Sequence, residues 1–183
     1  LFAMLVLLHS CMTLRGGENE TIKLPSSELE LFEMSAAAVV RIRASGNAKP
    51  EALREAEQMI RAIGVANQQR RRRNFSTVEA EAILEVQPAE LKIWRAITAI
   101  GKGRRLPLIK TLEAQSGVAP AQYHFEHISF QEAFHAAYLL ERSDSWNGWE
   151  TNASAASFLN EPFNQNVCRI GSTPLGNALA RRR

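Results

Sequence analysis

Three histidines fall close together in this chain, His124, His127 and His135, with Gln131 and Glu132 among them. Histidine can bind a metal, move a proton, or donate a hydrogen bond to an anion. Metal binding is disfavoured by spacing. Along a strand, residues 124 and 127 point to opposite faces, and no acid or cysteine stands at an H-E-x-x-H type of interval. Catalysis is disfavoured by company: no nucleophile, base and orienting group combine in one constellation, so no catalytic residue is assigned. Of the three, position singles out His127. From the residue alone, it reads as a histidine whose ring is satisfied by a backbone carbonyl beside a helix start.

That position is set by two elements. Tyr123 and Phe125 alternate with polar residues, as on a half-buried strand expected over 123–127. Ser129 is expected to open a helix in which Phe130, Phe134, Ala137 and Tyr138 share one face. Ser129 with Glu132 reads as a capping box, which gives Glu132 a capping rather than a catalytic role. The aromatic stripe reads as core packing. His127 is thus placed where a strand hands over to a helix.

Upstream, Leu1 to Leu8 form an apolar run, expected as a buried helix and far shorter than the roughly 20 residues that cross a bilayer. Ser26 or Ser27 can cap a helix with the stripe Leu29, Phe32, Ala36, Val39 and Val40, stopped by Ser45-Gly46-Asn47. Pro50 suits the first turn of the next helix, with Leu53, Ala56, Ile60 and Ile63 inward, ahead of the run Arg70 to Arg73. Ser76 to Glu79 is a second capping box, opening a short helix through Leu84. Pro88 begins another, in which Leu91, Trp94, Ile97 and Ile100 recur. Gly101 to Arg105 reads as a basic turn, and Leu106 to Ile109 as a partner for the histidine strand. The fold expected is mainly α: a helical lid, a winged-helix-like domain with a short β-hairpin, then an irregular helical C-terminal segment. Ser143 to Ser157 is rich in Ser, Asn and Ala, with short helices expected between Val167 and Leu179.

The spacing Phe125, His127, Ser129, Phe130, Gln131, Glu132, Phe134 and Ala136 resembles the F-x-H-x-S-F-Q-E-x-F-x-A signature of NACHT-type signalling NTPases, the NLR-like receptors within the STAND class. Leu1 to Leu8, Leu24-Pro25 to Glu33, and Leu106-Pro107 to Glu113 resemble flanking family segments in the right order. The resemblance covers residues 1 to 141 and is loose between 45 and 90. It implies that residues 1–45 end a helical lid, that 46–141 form a winged-helix-like domain, and that 142–183 start a truncated C-terminal helical or sensor region. It also implies that His127 contacts the β-phosphate of ADP, with ADP or ATP and Mg²⁺ bound by the intact protein and no cofactor by this chain alone. The expected partners are an upstream nucleotide-binding domain and further copies of the intact protein in a homo-oligomer; no membrane is implied, and a cytoplasmic location is. Such a unit would be a conformational switch in signal transduction, because ADP and ATP would engage His127 unequally.

The sequence excludes much. It holds no G-x-x-x-x-G-K-[ST] loop; Gly101-Lys102-Gly103 lacks the first glycine and the hydroxyl. No apolar strand ends in paired acids that would hold Mg²⁺. The parent family is an ATPase, but this chain is expected to be a regulatory piece downstream of the catalytic core. At 183 residues, 45% hydrophobic and a net charge of +3, it is globular and only mildly basic. Cys11 and Cys168 have no paired spacing and read as reduced, intracellular thiols. Two rival functions stand: a basic winged-helix module binding nucleic acid, and a helical protein-interaction scaffold. The first is disfavoured because the candidate recognition helix from 89 to 100 carries only Lys92 and Arg95 as cations.

Overall fold

The computed structural model describes residues 25–43, 49–99, 106–117, 119–142, 157–158 and 160–180. Leu1–Leu8, the stop at 45–47, Ile100, the basic turn at 101–105 and the tract 143–156 lie outside the described residues. Those described are mainly helical with one small antiparallel sheet.

Helix α1 (Glu28–Arg43) starts where expected: Ser27 Oγ accepts from the Glu30 amide at 3.1 Å, while the Glu30 carboxylate accepts from the Ser26 amide and hydroxyl. These bonds occupy backbone donors that a helix start leaves free. Helix α2 (Pro50–Gln69) carries Pro50 at its first turn and buries Ala56, Met59, Ile60 and Ile63 along one face. Strand β1 (Asn74–Ser76) follows the arginine run and passes directly into α3 (Thr77–Leu84). Here the capping box is complete. The Ser76 side chain accepts from the Glu79 amide, and the Glu79 carboxylate accepts from the Ser76 amide. Helix α4 (Pro88–Ala99) buries Trp94 completely, with Leu91 and Ile97 partly covered.

Strands β2 (Ile109–Glu113) and β3 (Gln122–Phe125) form the hairpin, and β1 pairs with the other edge of β3, giving the order β1-β3-β2. Helix α5 (Ile128–Glu141) closes the body. The succession α2-β1-α3-α4-β2-β3 with that strand order is the topology of a winged helix. Two expectations are corrected, and one further strand is found. The histidine strand ends at Phe125, so Glu126 and His127 lie beyond it. Its hairpin partner begins at Ile109 instead of ending there, because Leu108 turns the chain with φ 59°. The strand at Asn74–Ser76 leaves no mark in the sequence, since three residues are too few to show an alternation.

An aromatic chain runs through the interior. Trp94 meets Tyr123 edge-on at 5.2 Å, Tyr123 stacks on Phe75 at 5.8 Å, and Phe125 reaches Phe134 at 6.2 Å. Phe130 then meets Phe32 of α1 edge-on at 5.4 Å. Ring pairs of this kind add about 0.5–1.5 kcal/mol each beyond the area they bury. At Gly64 a Cβ would lie 2.8 Å from Phe134 Cδ2 and 3.3 Å from Phe125 Cζ. Only a hydrogen at that position lets α2 and α5 approach so closely, and this approach fixes the line of α5.

Two short helices, α6 (Gln165–Ile170) and α7 (Ser172–Ala180), complete the described chain. They bury Val167, Ile170 and Leu175.

Candidate functional site at the start of helix α5

The backbone on both sides of His127 is pinned. The Glu126 amide donates to the Leu108 carbonyl at 2.8 Å, and the Phe130 amide donates to the His127 carbonyl at 3.1 Å. His127 itself is the N-cap of α5, with extended backbone (φ −132°, ψ 124°) and no capping bond from its side chain. It is exposed. The helix therefore begins one residue before Ser129, and the expected Ser129–Glu132 capping box does not form. Glu132 is drawn elsewhere: it is buried, and its carboxylate accepts from Asn166 Nδ2 of α6. Tertiary packing outweighs the local cap here, because a carboxylate can serve only one of these two geometries.

The result is a fixed helix start with an exposed imidazole and first-turn amides that no side chain caps. The N-terminal end of a helix carries partial positive charge, and its amides point outward along the axis. An anion at this position would meet that end of the helix together with a ring N–H. The arrangement can hold an oxyanion.

Gln131, one turn further along, is fully buried. Its Nε2 donates to Gln68 Oε1 at 3.0 Å and to the Arg72 carbonyl at 2.9 Å. Thus the turn Arg70–Arg73 is bolted to the second turn of the helix that His127 begins. Arg71 there adopts φ 56° and pairs with Glu161 at 3.1 Å, and Arg72 pairs with Glu79. The sequence marked Gln131 only through the family-like signature; a glutamine within a helix has no periodicity that foretells burial.

The other histidines are placed apart. His124 is half-buried on β3, on the face opposite Tyr123 and Phe125, in register with Asn74 and Lys110 on the neighbouring strands. His135 is buried on α5, stacked on Tyr138 at 6.0 Å and tilted against Phe158 at 6.5 Å, and burial lowers its pKa to about 4. No group of three or more His, Cys, Asp or Glu among the described residues could hold a metal ion.

A cavity of about 290 Å³ opens between α1 and α2, floored by Val40, Ile60, Leu108 and Phe134. Glu33 and Glu57 line it as well, and partial burial raises the pKa of both. Arg61 opposes the shift at Glu33, and Arg41 opposes it at Glu57. His127 does not line this cavity.

On α4, Lys92 and Arg95 are exposed, and Arg95 is engaged by Glu81 at 2.8 Å. No helix among the described residues is long and apolar enough to cross a membrane. Compared with known proteins, the chain matches no family model and no curated sequence.

Proposed function

We propose that this chain is the regulatory, nucleotide-sensing portion of a NACHT-like signalling ATPase, in which His127 donates a hydrogen bond to the β-phosphate of ADP. The carrying observation is the exposed, uncapped His127 at the start of α5, held by backbone bonds on both sides. A histidine satisfied by a neighbouring carbonyl, the plain alternative, would have its ring turned into the protein. The winged-helix order of elements and the signature residues around His127 support the same reading. In it, the phosphate loop and Mg²⁺ site belong to a separate nucleotide-binding module, and the winged helix closes on that module when ADP is bound. Closure represses and opening permits self-association. The bias toward the closed state exists only to the extent that ADP engages His127 better than ATP does.

Calorimetry with ADP tests this at two levels. The present chain alone should bind ADP weakly or not at all, since one histidine and a helix end cannot replace a phosphate loop. A polypeptide that adds the phosphate-loop module should bind it well. Tight, Mg²⁺-dependent binding by the present chain would contradict the proposal. Nucleic-acid binding is the weaker reading: the exposed face of α4 offers Lys92, and Arg95 is already engaged by Glu81.

A further inference from the structure

The C-terminal segment 160–180 lies against α5, fastened at its margins and, through Asn166 Nδ2 donating to the Glu132 carboxylate, to α5 itself. We infer that it is a releasable clamp, and that its opening is coupled to the arginine turn at 70–73. The coupling is a relay of two buried amides. Gln68 Nε2 donates to the Phe163 carbonyl at 2.8 Å, and Gln68 Oε1 accepts from Gln131 Nε2, which also holds the Arg72 carbonyl. A second link runs directly, from Arg71 to Glu161 at 3.1 Å. Lifting the segment therefore removes the Gln68–Phe163 bond just ahead of the turn and the Arg71–Glu161 pair within it. A further fastening, the two bonds from Arg169 Nη1 to the Glu28 carboxylate at 2.8 Å, ties the segment to α1.

Opening bares Val167, Ile170 and Leu175, so the segment must lift as one unit, and the hydrophobic cost follows the area they bury. Two features weaken the polar fastening. The relay is incomplete: Gln131 Oε1 is buried without a partner among the described residues. A partly satisfied buried network favours the closed state less than a full one would. The ion pairs are exposed, and salt weakens them. Regions of this kind open as separate units below the free energy of global unfolding.

Hydrogen exchange on the full chain at neutral pH reads the coupling. In the unaltered protein, amides of residues 164–172 should exchange faster than those of Met59 to Ile63. Gln68→Leu should speed exchange by at least about tenfold in both 164–172 and 70–73, as expected for a buried partner lost. Exchange at Met59 to Ile63 should stay unchanged. Glu161→Lys, a surface change that leaves folding intact, should speed the same two segments by roughly two- to fivefold. If Gln68→Leu fails to fold, Glu161→Lys decides alone. Equal exchange of 164–172 and Met59 to Ile63 in the unaltered protein would overturn the inference. So would a variant that loosens one segment and leaves the other as it was.

Discussion

His127 and His135 lie on the same helix, eight positions apart, and their surroundings could hardly differ more. The first is exposed at a helix end, with its backbone fixed and its ring unbonded by any cap. The second is 5% exposed, between Tyr138 and Phe158, and burial holds its pKa near 4. One is left available to a ligand, and the other has become part of the interior. The difference teaches that a cluster of histidines in sequence is no guide to a shared site. On a helix of this length, the end and the middle are separate environments.

The comparison can be broken or sharpened experimentally. The largest effect should come from the interior that holds both positions. Trp94→Ala removes the ring that Tyr123 meets edge-on and should cost about 3–5 kcal/mol, measured by denaturant unfolding. Loss below about 1 kcal/mol would mean the aromatic chain does not anchor the body.

Next comes the buried histidine. The unfolded chain takes up a proton near pH 6.5, whereas folded His135 resists until about pH 4. Between those values the unfolded state binds more protons, so stability falls as pH falls. The contribution is fully present above pH 6.5 and is lost by about pH 4, by an amount of about 3 kcal/mol. Glu33 and Glu57, with raised pKa values, act in the opposite sense, so the difference between the unaltered protein and His135→Phe isolates the histidine. Parallel pH profiles for the two proteins would place His135 in contact with water.

Gly64→Ala should cost about 1–3 kcal/mol by forcing Phe134 aside, since the new methyl would sit 2.8 Å from its ring. The smallest effect belongs to His127. Its replacement by alanine should change stability by no more than about 0.5 kcal/mol, as for an exposed residue with no capping bond. A larger loss would return the ring to a structural role.

Much of this architecture was legible in the residues. Pro50 with Leu53, Ala56, Ile60 and Ile63 marked α2, and the reciprocal pair Ser76 and Glu79 marked the start of α3, because both signals are local. What failed was whatever depended on distant partners. Ser129 and Glu132 have the spacing of a capping box, yet Glu132 turns to Asn166, 34 residues away. Gln131 and Gln68 meet across 63 residues, and Gln68 reaches Phe163 across 95. Strand β1 hid behind the arginine run because its pairing with β3 exists only once the chain has returned. His127 was singled out from sequence because its neighbours fix a strand and a helix, and the described geometry keeps it at that junction. The phosphate contact proposed for it is a matter of chemistry that no local pattern reports.

The most direct test of the central claim is the rate at which ADP leaves a polypeptide containing both the proposed phosphate-loop module and this winged helix. With His127→Leu, ADP should dissociate about tenfold faster or more, as for a lost hydrogen bond to a charged group, while ATP dissociation changes little. Unchanged ADP release, or equal acceleration for both nucleotides, would contradict the account.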